Sequence, residues 1–373
     1  MARRAFLSFL CFLWLVLPSA SSQSPVFNIP STVQNGTSHA QFTSSSTGLD
    51  APKVQPINGS AFDWWYFDVV SADPTNLASV VVTFFTSSQP AFPLLAPSSF
   101  ITVARIWVSF PNGTLFSAAS DADGATVISD GDNSSGTWNG TGFSWMNIPS
   151  GNFIVIDAPD LGVKGTISLQ SIVPAHYPCA AAKAGQTMEV APHVGWSNAI
   201  PDAVSEVNLS IGGTKLAFTG SGYHDKNWSD QVFTTHVASW YWGHGRLGPY
   251  SIVWFDFLDR TGTEFVSAYA ARNGKIVAAS CALGSITVRP TGPNATYPPV
   301  ISSPNPTGYH IDLDLGSEGM LTVNVNVLAP LIAPNPEYAR SVGNLSGSVV
   351  PASPAAAQVL TGMALFEQFK LTV

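Results

Sequence analysis

From residue 62 onward, apolar side chains recur at every second position, and this period restricts the chain to β-structure. Val80, Val82 and Phe84 carry it first, then Thr102, Ala104, Ile106, Val108 and Phe110, then Ile167 and Leu169. Turn chemistry separates the runs: Asn112-Gly113 has the pair favoured in tight hairpins, and Asp121 to Gly124 and Asn139-Gly140 are further breaks. The pattern resumes at Val207, Leu209 and Ile211, turns at Gly212-Gly213, and continues through Leu216 and Phe218. Ile252, Trp254, Asp256 and Leu258 form another run, Asn273-Gly274 another hairpin, and Leu321 to Val327 a further alternation. Phe369, Leu371 and Val373 make a last half-buried strand, able to pair with an earlier one and remove an open edge. No amphipathic helix of useful length and no repeat of about 20 to 50 residues interrupts this, so the fold is expected to be an all-β antiparallel sandwich or barrel.

A chain of 373 residues exceeds one comfortable core, and two domains of roughly 150 to 200 residues are expected. Pro174 to Pro201 lacks a period and reads as a crossing or long loop with room for a short helix over 180–184. The boundary is accordingly placed between residues 205 and 206. Gln23 to Gly48 is polar and reads as a solvated arm or irregular edge. Ahead of it, Arg3 and Arg4, the apolar run Phe6 to Leu17 and small residues to Ser22 match a cleaved secretory signal over residues 1–22, which implies a secreted or lumenal protein. No later apolar run reaches the roughly 18 to 20 residues of a membrane helix.

Only 10% of residues are charged, so another source of surface solvation is expected. Glycosylation acceptors occur at Asn35, Asn58, Asn112, Asn133, Asn139, Asn208, Asn294 and Asn344. Asn227 also lies in such a motif, but a pocket-facing Asn there could carry no sugar. A net charge of -8 without a basic stripe argues against nucleic acid and anionic membrane surfaces as partners. Cys11 leaves with the signal, after which Cys179 and Cys281 either pair or stay as separate buried thiols. A bridge would close a long loop, a constraint that chain-entropy arguments value at about 4 to 5 kcal/mol. Without a Cys-x-x-Cys spacing, no zinc or redox site is built on cysteine.

In so charge-poor a chain, polar chemistry concentrates in Gly222-Tyr223-His224-Asp225-Lys226-Asn227-Trp228. An aromatic stretch edged by carboxylates precedes it, Phe62-Asp63-Trp64-Trp65-Tyr66-Phe67-Asp68, and Ser239-Trp240-Tyr241-Trp242-Gly243-His244-Gly245-Arg246 follows it. There is no Gly-x-Ser-x-Gly elbow, no phosphate-cradling loop and no His-Glu-x-x-His pair. His224, His236 and His244 with Asp225 have the residue types of a metal site, but on a strand His224 and Asp225 point to opposite faces, so neither metal nor cofactor is expected. Tyr223, His224 and Asp225 can instead supply a general acid with its orienting partner, or a hydrogen-bond network that fixes a sheet corner. The indoles of Trp64, Trp65, Trp228, Trp240 and Trp242 serve either as core or as the wall of a pocket for a large, apolar, conjugated ligand.

The two motifs Asp63-Trp64-Trp65-Tyr66-Phe67-Asp68 and Tyr223-His224-Asp225-Lys226-Asn227-Trp228 resemble those of the fungal lipocalin-like Diels-Alderases, relatives of the bacterial carotenoid hydratases. In that family the second motif reads Tyr-x-Asp-His-Asn-Trp-Gly. Tyr223, Asp225, Asn227 and Trp228 match it, whereas Lys226 and Ser229 depart. The resemblance implies an N-terminal β-sandwich over 23–205, a C-terminal lipocalin-like barrel over 206–373, and a substrate pocket at their junction. It implies a [4+2] cycloaddition on a polyketide- or terpenoid-derived substrate, within one polyene or between two molecules after dehydration to a quinone methide. Such a reaction needs no nucleophile, metal or redox cofactor, only a fold that holds diene and dienophile together and a donor on the activating carbonyl. Tyr66, Tyr223, His224 and Asp225 are then the expected catalytic groups, with Lys226 a further donor. Asp63, Trp65, Asn227, Trp228, Trp240 and Trp242 are the expected substrate-binding groups. Hydration of a polyene, with Asp225 or Asp63 protonating carbon, and non-catalytic carriage of hydrophobic metabolites remain open alternatives.

Overall fold

Most of the alternating runs become strand, and a computed structural model describes residues 24–45, 48–131, 133–148, 151–350 and 359–373. The signal segment and Cys11 lie outside these residues. Two antiparallel sheets contain nearly all of the strands among the described residues. The first runs in the order Val26–Ile29, Ala125–Asp130, Asn133–Trp138, Phe143–Ile148, Gly151–Ala158, Val163–Ser171, Val194–Ile211, Thr214–Ser229, Phe62–Ser71, Ser79–Ser87, Thr102–Ser109 and Leu115–Asp121. It curls on itself, so that Trp65 and Phe84 from one end of the order meet Trp138 from the other at ring separations of 5.3 and 4.8 Å.

The second sheet runs Lys275–Ser280, Glu264–Arg272, Tyr250–Asp259, Val237–Leu247, Leu360–Lys370, Tyr338–Val350, Met320–Pro330, Gly308–Asp314 and Ile286–Thr291. Its last strand returns against Tyr250–Asp259 and Glu264–Arg272, which rolls the sheet into a lipocalin-like barrel. The final strand is inserted between the first and the later barrel strands. It ends at Lys370, short of the expected Leu371 and Val373, and is buried rather than half-buried from Met363 onward, because Leu365 and Phe369 pack toward the first sheet while Ala364 and Phe366 fill the barrel. Among the described residues no helix is long and apolar enough to cross a membrane.

Two-faced strands generate three interiors. The curl of the first sheet encloses Trp65, Phe67, Phe84 and Trp145, and the barrel encloses Trp254, Tyr309 and Phe366. The third lies between the sheets, where Trp64, Tyr66, Phe85 and Tyr223 of the first meet Trp240, Trp242 and Phe255 on the outer wall of the barrel.

Two sequence expectations shift. Residue 205 falls inside Val194–Ile211, and the change of sheet occurs instead between Ser229 and Val237, around the short helix Phe233–His236. The aperiodic stretch from Pro174 is partly strand, with His176–Tyr177, Ala180–Ala181 and Glu189–Ala191 added to the same sheet and no helix at 180–184. Its period is hidden because Val194–Ile211 shifts register between Asn198 and Ile200 and between Ile200 and Ala203, the irregular ground on which Pro201 is tolerated within a strand. The polar arm contributes the edge strand Val26–Ile29.

Two covalent and ionic ties cross between the sheets. Cys179 is bonded to Cys281 with alpha carbons 4.5 Å apart. Asp202 receives a bidentate pair from Arg246, at 2.9 and 2.7 Å, and a hydrogen bond from Ser251 at 2.6 Å. Of the sequons, Asn35, Asn112, Asn133, Asn208 and Asn294 are exposed, and Asn58, Asn139 and Asn344 half-buried. Asn227 is buried.

Candidate active site at the junction of the two sheets

Strand Thr214–Ser229 pairs with Phe62–Ser71 so that Asp225 lies opposite Tyr66, Lys226 opposite Trp65 and Asn227 opposite Trp64. Alternation then divides both motifs between two faces. Trp64, Tyr66, Tyr223, Asp225 and Asn227 turn toward the barrel; Asp63, Trp65, Phe67, His224, Lys226 and Trp228 turn into the first sheet's own interior. A cavity of about 400 Å³ occupies the barrel side, within the range of small-molecule sites. Its walls are aromatic, from Trp64, Phe85, Phe92, Trp240, Trp242 and Phe369, and its polar groups include Tyr66, Thr83, Asp225, Asn227, Arg105, Arg340 and Glu367.

Of the residues expected at the site, Tyr66, Asp225, Asn227, Trp240 and Trp242 line this cavity, and Tyr223 stands one hydrogen bond behind it. His224, Asp63, Trp65 and Trp228 do not reach it. Nδ1 of His224 meets the Tyr66 carbonyl at 2.9 Å, Nε2 meets Asp50 at 2.8 Å, and the ring stacks on Phe67 at 3.8 Å. Asp63 accepts from Lys226 Nζ and from the Lys53 backbone N–H, both at 2.7 Å, while the Lys226 ammonium sits 3.1 Å above the Trp65 ring. Burial lowers the Lys226 value to about 8 against the pull of Asp63. Trp228 donates to the Gln41 carbonyl and packs over Gly195, where any Cβ would strike its ring. The run does not bend to bring His224 round, because the irregular register belongs to the partner strand Val194–Ile211. The three imidazoles considered together also separate: His236 meets Gln231 at 2.7 Å and His244 meets Asp68 at 2.9 Å.

On the cavity face, Asp225 Oδ2 accepts from the Trp196 indole and the Tyr223 hydroxyl, both at 2.8 Å, and Trp242 Nε1 donates to Tyr223 at 3.3 Å. Among the described residues no donor reaches Oδ1. Burial raises the Asp225 carboxyl from its ordinary value near 3.8 to about 7, and the two donors only partly oppose it, because neither carries a charge. The carboxyl is therefore half protonated near neutrality. Burial, reinforced by Asp68 and Asp225 respectively, lifts the Tyr66 and Tyr223 phenols, so both remain donors.

Across the cavity, Arg340 Nε donates to Glu367 at 2.7 Å, and the guanidinium lies against the rings of Tyr66, Trp107 and Tyr338. Tyr66 Oη, Thr83 Oγ1, Trp240 Nε1 and Arg340 Nη1 are all buried at this wall without a partner among the described residues. Unpaired buried donors are costly unless a guest completes them. Arg340, Glu367 and Trp196 were not singled out from the sequence. The one available signal was charge inside an alternating strand, as at Arg340 and Glu367, in a chain with only 15 Lys and Arg.

The fold, a curled β-sheet packed on the outer wall of a barrel, is shared with CghA. Its crystal structure with Sch210972 superposes with a TM-score of 0.73 over 93% of this chain and 98% of that one, at 19% identity. A sequence profile described as Diels-Alderase-like matches residues 29–287, and the chain belongs to that family. Among its relatives are the quinolone epoxide rearrangement protein asqO of Emericella nidulans, 38% identical over 78% of this chain and 80% of that one, and the quinolone epoxide rearrangement protein penF of Penicillium thymicola, 35% identical over 93% and 96%.

Proposed function

We propose that this protein is a cofactor-independent isomerase that opens and rearranges an epoxide on a quinolone-like ring system held in the junction cavity. The observation that carries the reading is Asp225, a carboxyl that keeps its proton up to about pH 7 at the wall of an aromatic cavity. Its Oδ2 is occupied by two donors, so the proton resides on Oδ1, the oxygen free to meet a substrate. Transfer of that proton to the epoxide oxygen lets the C–O bond break with its electron pair on oxygen. The electron-deficient carbon left behind is stabilised by the indole faces of Trp64 and Trp242. Migration or closure of a new bond then releases a proton to the Asp225 carboxylate, so the product is an isomer of the substrate and the enzyme is regenerated. Tyr66 and Arg340 serve as donors to a ring carbonyl, fixing the substrate while charge develops. The two relatives named for quinolone epoxide rearrangement support this reading.

The test is conversion of a quinolone epoxide by purified protein to a product of unchanged mass, compared between wild type and Asp225→Asn. Asn keeps an acceptor for Trp196 and Tyr223 but has no acidic proton to give. A loss of about 10² to 10⁴ in kcat is expected, with wild-type kcat falling as pH rises through about 7. A [4+2] cycloaddition is the second reading, favoured by the family and by the unpartnered donors suited to activating a carbonyl. It requires no proton transfer from Asp225, so formation of a cycloadduct from a diene substrate, undiminished in Asp225→Asn and without turnover of the epoxide, would select it over the first.

We also propose that the chain acts in the secretory pathway. The Cys179–Cys281 bond and the exposed sequons support this. A mass loss on enzymatic deglycosylation of the native protein checks it, and an unmodified mass in the native source would oppose it.

A further inference from the structure

A second cavity, of about 310 Å³, opens at the mouth of the barrel. Strands Tyr338–Val350 and Leu360–Lys370 pair Tyr338 with Phe369, Ala339 with Gln368, Arg340 with Glu367, and Ser341 with Phe366. The first and third pairs line the junction cavity, while Ala339, Gln368, Ser341 and Phe366 line the barrel mouth. This ribbon is therefore a wall one sheet thick with a cavity on each side. At its end, Ile332, Ala333, Asn335 and Tyr338 line both cavities, so only these side chains stand between the two spaces at the edge of the wall.

The chemistry of the two spaces differs. The junction is aromatic and carries Asp225, Glu367 and two guanidiniums. The barrel mouth presents Pro306, Val327, Pro330 and Phe366, the uncharged polar side chains of Asn305, Asn335 and Ser341, no carboxylate, and one cation, Arg340, whose Nε is held by Glu367. Its buried polar side chains, Ser341, Tyr309 and Gln368, are uncharged, and Gln368 accepts weakly from Tyr309 at 3.4 Å. A neutral, flexible hydrocarbon fits such a space, and a cation would find no carboxylate in it.

We propose that the barrel mouth is a second subsite of one bipartite site, taking an acyclic apolar tail of a substrate whose ring system sits in the junction cavity. This rests on the ring-binding reading above. The tail passes around the end of the wall between Tyr338 and Asn335. The subsite selects for tail length through area removed from water, while Asp225 acts on the ring.

Calorimetric binding of 2-methyl-4-quinolone, 2-nonyl-4-quinolone and 1-decanol tests this in wild type, Ala339→Trp and Ser341→Leu. Both substitutions fill the barrel side of the wall, and thermal melts establish that each variant is folded. In wild type the nonyl compound binds tighter than the methyl compound by roughly 100-fold or more, since each buried methylene contributes roughly four-fold. Ala339→Trp collapses that ratio to about five-fold or less and abolishes decanol binding, and Ser341→Leu, the fallback if Ala339→Trp does not fold, moves both in the same direction. A chain-length ratio or decanol affinity unchanged in the folded variants overturns the subsite, as does a wild-type protein indifferent to the tail. Failure of the methyl compound to bind, with decanol still bound in an Ala339-dependent manner, sinks the quinolone reading and leaves the tail subsite standing.

Discussion

Asp63 and Asp225 are both buried carboxyls on the same pair of strands, yet they face opposite ways and meet opposite chemistry. Burial raises both carboxyls, but at Asp63 the Lys226 ammonium and the Lys53 backbone N–H, each at 2.7 Å, pull against that rise. Asp225 has only the neutral donors Trp196 and Tyr223, and burial raises it to about 7. Equal burial thus gives a structural ion pair on one face and an acid poised near neutrality on the other. The difference lies in whether a full positive charge is within reach, since neutral hydrogen bonds offset only part of the desolvation of a carboxylate.

The contrast breaks most sharply at Asp63. Asp63→Asn strands the Lys226 ammonium beneath Trp65, and a loss of about 3 to 5 kcal/mol in denaturant unfolding is expected, with kcat of the folded fraction near wild type. Normal stability with lost turnover would move Asp63 into the chemistry.

Asp225→Asn should act in the opposite sense on stability. A carboxyl raised in the folded state contributes stability that is fully present below its unfolded value near 4 and is lost as pH rises through about 7. The Asn variant escapes this loss. At pH 8 it is expected to exceed wild type by on the order of 2 to 4 kcal/mol, with no advantage at pH 4. Equal unfolding midpoints at both pH values would show that the raised value is wrong.

His224→Ala removes two buried hydrogen bonds and leaves Asp50 without its ring partner. A destabilisation of about 2 to 3 kcal/mol is expected, seen as a lower melting temperature, with surviving molecules still active. The smallest effect belongs to Tyr223→Phe, which takes away one of the two donors on Asp225 Oδ2. The descending limb of kcat against pH should move upward by about one unit, because the carboxylate has lost a hydrogen bond worth about 1 kcal/mol. A limb that stays in place would separate Tyr223 from the titration of Asp225.

Much of this contrast was legible in the chain. Period-two alternation gave the all-β fold, placed Tyr223 and Asp225 on one face and His224 on the other, and left only a bend as a way to reunite them. The bulges lie on the facing strand, around Pro201, where the sequence reads as aperiodic, and so the reunion does not occur. Trp65 and Trp228 were indistinguishable from Trp240 and Trp242 by residue type, because an indole suits a closed core and an open wall equally well.

What the sequence determined by itself was local: strand, turn, the parity of each side chain, and the concentration of polar groups in one run of a charge-poor chain. Those follow from backbone geometry and nearest-neighbour chemistry, which a single segment carries. What tertiary structure decided was which parity faces the barrel, that Trp196 reaches Asp225, and that Arg340 and Glu367 close the opposite wall. These depend on pairings between strands far apart in the chain and on one sheet packing upon another. The raised Asp225 value is of the same kind, since it reports the water and charge that the assembled walls exclude, and no local stretch encodes that.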